Sequence, residues 1–198
     1  MDDADEHCRK GATIWRWAST FEGQDPDVVL TAAGVYPTNE TMAAAQLLRK
    51  ELPNLRVRVV NVTDLLILQP DSFHPHGLTP EAFEGLFTAD KPVIFNFHGY
   101  PVAVKELLFD RPALARFQIN GYIEEGTTTT PFDLFVQNLA SRYHVVIQAV
   151  RALSKFKPEV AAQADAISSH YEDKLAEHHS YIREHGKDLP EIADWKWS

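Results

Sequence analysis

Gly121-Tyr-Ile-Glu-Glu-Gly-Thr-Thr-Thr-Thr-Pro-Phe-Asp133 reads as the end of a strand, a polar turn and the start of a helix. Pro131 suits the first helical position, where its missing N–H has no partner in any case, and Thr130 before it can cap the end with its hydroxyl. Asp133 falls in the first turn, where a carboxylate complements the helix dipole. From there Phe132, Phe135, Leu139, Tyr143, Val146 and Val150 recur at spacings of three and four. That period predicts one long amphipathic helix.

The same strand-turn-helix unit recurs upstream. Asp27-Val-Val-Leu-Thr-Ala-Ala33 is a short apolar run ending at Gly34, after which Thr38 opens a helix through Met42, Ala45, Leu48 and Leu52, stopped by Pro53. Leu55 to Val62 is a second strand, and Thr79-Pro-Glu-Ala-Phe83 starts a short capped helix ending at Phe87. Pro92-Val-Ile-Phe-Asn-Phe97 is a third strand, apolar almost throughout and so expected to be covered on both faces. Val102 to Phe109 is helical, and Phe117 to Ile123 is the fourth strand. Strands alternating with helices give an α/β fold with a small, mainly parallel sheet flanked by helices. Beyond Pro158, Ile167, Tyr171, Leu175, His178 and Ile182 recur at helical spacing and predict an extra C-terminal helix, ended by Gly186. The expected organisation is a leading interdomain segment at 1–26, an α/β domain at 27–157 and a helical extension at 158–198 packed on the same domain.

Composition narrows the function classes. With 198 residues, 44% of them hydrophobic, the chain can bury a sizeable core. Its formal charge of −9 and lack of a long basic block disfavour nucleic acid as a partner. No apolar run approaches a membrane span, and Met1-Asp-Asp-Ala-Asp-Glu6 is unlike the opening of a signal peptide, so a cytoplasmic protein is expected. The single cysteine, Cys8, excludes an internal disulfide framework. Trp15 and Trp17 are large apolar surfaces near the start, and at least one is expected to pack on the core or on a neighbouring domain.

Ligands of parallel sheets bind beyond the carboxyl ends of the strands, which directs attention to Gly34, His98, Gly99 and the threonines Thr127, Thr128, Thr129 and Thr130. The threonine run at a helix start offers hydroxyls and backbone N–H groups suited to an anion; the plainer reading is a turn whose threonines satisfy their own backbone. His98, after an apolar strand, stands where catalytic groups occur in this architecture, although a structural or interdomain role is the commoner one. Ala33-Gly-Val-Tyr-Pro-Thr38 lacks the spaced glycines of a dinucleotide fingerprint and the lysine of a phosphate loop. His74 with His76, and His178 with His179, have no third ligand near in sequence, and no Gly-x-Ser-x-Gly elbow is present.

Several blocks, in order, resemble the C-terminal domain of the thiamine-diphosphate-dependent phosphoketolases. They are His7-Cys-Arg-Lys-Gly11, Val59-Val-Asn-Val62, Asp90-Lys-Pro-Val-Ile-Phe95, Phe97-His-Gly-Tyr-Pro101, Glu124 to Asp133, Tyr181-Ile-Arg-Glu-His-Gly186 and Trp195-Lys-Trp197. The resemblance implies a transketolase C-terminal-domain-like fold with one antiparallel edge strand. It also implies a parent enzyme that cleaves xylulose 5-phosphate or fructose 6-phosphate with inorganic phosphate, giving acetyl phosphate and an aldose phosphate. Thiamine diphosphate and Mg²⁺ would be bound by preceding domains of the same chain, in a homodimer or higher oligomer, and no catalytic residue would fall here. Asn96 departs from the small apolar residue expected between Phe95 and Phe97. A regulatory anion-binding module and a free-standing α/β domain are the alternatives.

Overall fold

A computed structural model describes every residue except 1, 21, 22, 124, 125, 127 and 198. Its centre is a five-stranded sheet of β1 (Ala12–Ile14), β2 (Val28–Ala33), β3 (Val57–Val62), β4 (Val93–Phe97) and β5 (Phe117–Asn120). The spatial order is β1-β3-β2-β4-β5. Four strands are parallel, and β1 alone is antiparallel, with Ala12 opposite Val62 and Ile14 opposite Val60. This is the edge strand the resemblance implies, and it comes from the leading segment, which is therefore part of the sheet.

Side chains alternate across the sheet with the period of two that strand geometry imposes. Val28, Leu30, Val57, Val59 and Ile94 face a core closed by α2 (Val35–Glu51), α6 (Arg142–Leu153) and α7 (Pro158–His185). Val29, Val60, Val62, Val93 and Phe95 face a second core under α3 (Pro80–Phe87) and α4 (Pro101–Leu107). Burial on both faces explains why the strands read as apolar runs. Asp27, at the foot of β2, accepts from Arg56 Nη2 at 2.8 Å and Lys157 Nζ at 3.1 Å, tying the sheet to the start of α7.

Most helix signals act as read. Thr79 caps α3 by accepting from Ala82 N, and Gly186 ends α7 at φ +65°. Two expectations are corrected. The helix after β2 starts at Val35 rather than Thr38; Pro37 lies in the first turn, where a backbone N–H is not needed. The helix from Pro131 is two, a short α5 (Pro131–Gln137) and α6, separated by Leu139 in the left-handed region at φ +55°.

The C-terminal tail, with a last turn of helix α8 (Pro190–Ala193), folds back on the α2 side. Trp17 stacks on Trp15 at 5.2 Å and meets the edge of Trp197 at 5.4 Å, while Arg49 lies over Trp197 at 5.0 Å. Both ends of the chain thus meet in one aromatic cluster. No described helix is long and apolar enough to cross a membrane.

Candidate functional site

The chain crosses from β2 to β3 on one side and then returns to place β4 on the other, so the topological switch lies between the carboxyl ends of β2 and β4. Crevices form at such points because neighbouring connections leave in opposite directions. Gly34 and His98 stand on either side of it. Gly34 has φ +103° and ψ 158°, and a Cβ there would come within 2.7 Å of His98 Cβ. His98 N donates to Ala33 O at 3.1 Å.

The exposed His98 ring is set among aromatics: Tyr36 at 5.9 Å, Phe135 at 6.2 Å and Tyr122 at 6.3 Å between ring centroids. Gly99 O accepts from Tyr122 N at 2.8 Å, and a Cβ on Gly121 would meet Gly99 O at 2.4 Å, so this crossing of two loops requires glycine. The structure therefore brings Gly34, His98 and Gly99 together.

The threonines are placed differently. Thr127 lies outside the described residues and Thr128 is exposed. Thr129 Oγ1 donates to Asp133 Oδ2 at 2.9 Å, and Thr130 Oγ1 donates to Asp188 Oδ1 while accepting from Asp133 N. Carboxylates at that position repel an anion, and α5 has only seven residues. The local chemistry is that of a capped turn tied to the tail. In the turn after β2, Gly34 O accepts from Thr38 N and Thr38 Oγ1, and that hydroxyl also accepts from Asn61 Nδ2 at 3.0 Å, so the Thr38 hydroxyl is already engaged.

Beneath the crevice is a polar system the sequence marked at one residue only. Asn96 is fully buried; its Nδ2 donates to Ala140 O at 3.0 Å and its Oδ1 accepts from Asn120 Nδ2 at 2.8 Å. Asn120 Nδ2 also reaches Gln148 Oε1 at 2.7 Å, whose Nε2 donates to Leu139 O at 3.0 Å. These amides fasten β4 and β5 to α6 and to the turn at Leu139. A buried amide is tolerated because its groups are paired.

Beside the crevice a cleft of about 240 Å³ is lined by Tyr36, Glu40, Phe132, Phe135, Arg142 and Trp195. Arg142 grips Glu40 through Nη2 at 2.7 Å, Nε at 3.0 Å and its backbone N at 2.8 Å, both side chains being buried. The guanidinium faces Phe132 at 5.4 Å and Trp195 at 5.2 Å. Nearby, Asp133 Oδ1 pairs with the fully buried His178 Nε2 at 3.2 Å, joining α5 to α7. These pairs are 102 and 45 residues apart in the chain, and no local pattern announces them. His76 pairs with Asp64 at 2.7 Å, and His74 Nδ1 accepts from His76 N. Among the described residues no group of three or more His, Cys, Asp or Glu side chains is placed to hold a metal ion.

The sheet order, the antiparallel edge strand and the two helical layers define an α/β domain of the transketolase C-terminal type. A transketolase from Pichia stipitis superposes with a TM-score of 0.52 at 14% identity, over 77% of this chain and 19% of that one. The family model described as XFP C-terminal domain matches residues 1–197. The chain is 51% identical over 198 residues to a probable phosphoketolase of Bradyrhizobium diazoefficiens and 49% identical over 197 residues to probable phosphoketolase 2 of Nostoc sp.. It also shares 48% over 198 residues with a probable phosphoketolase of Brucella abortus. Each alignment covers all of this chain and 24 or 25% of the relative. The chain belongs to the phosphoketolase C-terminal domain family and spans about a quarter of the length of these relatives.

The described residues do not fit thiamine diphosphate with its divalent metal. A metal-bound diphosphate requires free oxygen ligands and converging donors. At the switch point stand an imidazole, two glycines and aromatic rings, and the nearby carboxylates Asp133 and Asp188 already accept from His178, Thr129 and Thr130.

Proposed function

We propose that this chain is the C-terminal assembly domain of a phosphoketolase. The full-length enzyme would cleave xylulose 5-phosphate or fructose 6-phosphate with inorganic phosphate to acetyl phosphate and an aldose phosphate. Thiamine diphosphate and Mg²⁺ belong, on this reading, to the preceding domains of the same cytoplasmic protein, which works as a homodimer or larger oligomer. The observation that carries it is the alignment of the whole chain, at about half identity, with one quarter of proteins named as probable phosphoketolases. A bracing role is supported by the pairs beside the switch point, Glu40 with Arg142, Asp133 with His178 and Asn96 with Asn120, which tie separate elements together.

The test is an acetyl phosphate assay, by hydroxamate formation, on the full-length protein and on the 198-residue chain with thiamine diphosphate, Mg²⁺, phosphate and either sugar phosphate. Product is expected from the first and none from the second. Turnover by the 198-residue chain, or none by an intact, cofactor-loaded full-length protein, would overturn the reading.

A further inference from the structure

Six large apolar side chains stand at the carboxyl edge of the sheet: Val35, Tyr36, Tyr100, Val102, Ile123 and Leu139, each 46 to 73% exposed. They come from four places in the chain, the start of α2, the start of α4, the segment after β5 and the turn before α6, which contacts of the site join. Tyr36 meets His98, His98 meets Tyr122, Gly99 O bonds Tyr122 N, and Ile123 N donates to Asn138 Oδ1 beside Leu139. Single exposed apolar residues are ordinary, but a patch braced from below by a buried amide network marks a docking surface.

Topology says what arrives there. Because β1 is antiparallel, the residues before Ala12 lie at the carboxyl end of β3. Gly11 O accepts from Thr63 N at 2.8 Å and Asp64 N at 2.9 Å, and His7 Nε2 bonds Asn61 Oδ1 at 2.9 Å. Two strand spacings, roughly 10 Å, separate β1 from β2, whose end carries Val35 and Tyr36. The last turns of α1 (Asp2–Lys10), the helix that leads into β1, thus lie on the same edge as the patch.

We infer that this carboxyl-edge patch is the surface on which the preceding part of the same polypeptide docks. The inference rests on the reading of the chain as one quarter of a longer protein. Covalent connection suits the patch: six side chains cover far less than the roughly 1,200–2,000 Å² of a stable interface between free partners, whereas a tether supplies an effective concentration on the order of millimolar. A second copy is the weaker occupant, since each copy carries a formal charge of −9.

Hydrogen exchange read by mass spectrometry tests it, comparing the full-length protein with the 198-residue chain. Peptides spanning 34–39, 98–104 and 137–141 are expected to exchange at least tenfold more slowly in the full-length protein, while those around the exposed Phe73 and Phe156 do not change. In the full-length triple variant Val35→Glu, Tyr100→Glu, Leu139→Glu the protection is lost, and the same triple leaves the melting temperature of the 198-residue chain within a few degrees. Equal exchange in both proteins overturns the inference. So does protection that grows with the concentration of the 198-residue chain alone, which would assign the patch to a second copy. Acetyl phosphate formation is scored separately, so an active enzyme with an unprotected patch refutes the docking surface and leaves the function standing.

Discussion

Gly34 and Gly99 lie within one contact of each other in the crevice, yet they differ in what a side chain would meet. At Gly34 the positive φ is costly for any L-residue, and the added Cβ would strike the Cβ of His98, which cannot rotate away. At Gly99 the φ is ordinary and the nearest atoms, at 2.6 and 2.8 Å, are at the far end of the Phe97 ring, which can turn. Gly34→Ala is therefore expected to cost about 2–4 kcal/mol, and Gly99→Ala less than about 1.5 kcal/mol. Urea unfolding of the two variants checks this, and equal losses would show that the close approach at Gly34 is not rigid. At this scale the sequence marked Gly34, His98 and Gly99 because strand ends in a parallel sheet must converge. Asn96 was visible only as an amide out of place in an apolar strand. Its partners Asn120 and Gln148 could not be read, because the bonds span 24 and 28 residues and no periodicity connects them.

Helices show where periodicity stops being informative. Phe132, Tyr143, Val146 and Val150 do face one core, as their spacing predicts, whereas Phe135 is buried against the rings of Tyr36 and His98, and the chain breaks between the two helices. A four-residue interruption keeps the helical phase nearly unchanged, so the apolar pattern runs through the break at Leu139, which points to solvent. The legible signals were local ones, Asn138 as a stop and Ser141 as an N-cap. Ser141 Oγ lies 2.8 Å from Nδ1 of His144 in the first turn of α6. Burial alone drives the pKa of His144 down, to about 4 from an ordinary 6.5, because the charged imidazolium loses its hydration. Between those values the unfolded chain binds a proton the folded chain does not, so stability is complete above about pH 6.5 and declines as pH falls towards 4. This group removes at most about 3 kcal/mol over that window. His144→Asn keeps a group able to bond Ser141 and lacks the titration. Its stability, measured by urea unfolding from pH 7 to pH 4.5, is expected to fall less steeply than that of the native sequence. Parallel slopes would mean that His144 is solvated enough to protonate within the fold.

On the scale of the whole molecule, both ends of the chain close the same core. That the tail packs on the domain and that a leading tryptophan packs was expected, but the strand within the leading segment and the meeting of the two ends were not legible. The strand β1 has only three residues, too few for an alternation to register, and the tail contacts are aromatic rather than periodic. Yet the tail covers much. Leu189 and Ile192 are buried in the α2 side core, Trp195 Nε1 donates to Gln46 Oε1 at 3.0 Å, and Trp195 shields the Arg142 side of the Glu40 pair from water. Removing residues 187–198 is expected to cost at least about 4–6 kcal/mol, from two aliphatic side chains at 1.5–3 kcal/mol each and the aromatic contacts besides. The chain has four tryptophans, and this deletion leaves only Trp15 and Trp17. Their emission should move to longer wavelength in native buffer, since the edge of Trp197 no longer covers Trp17. Thermal unfolding and fluorescence of the truncated chain separate two cases. A lower melting temperature with red-shifted emission makes the tail part of the core, whereas a melting temperature within a degree or two of the intact chain, with unshifted emission, means the ends fold independently of the sheet. The first outcome is expected, because the same tail residues also hold the start of α5 through Thr130 and Asp188, so the tail and the switch-point loops must order together.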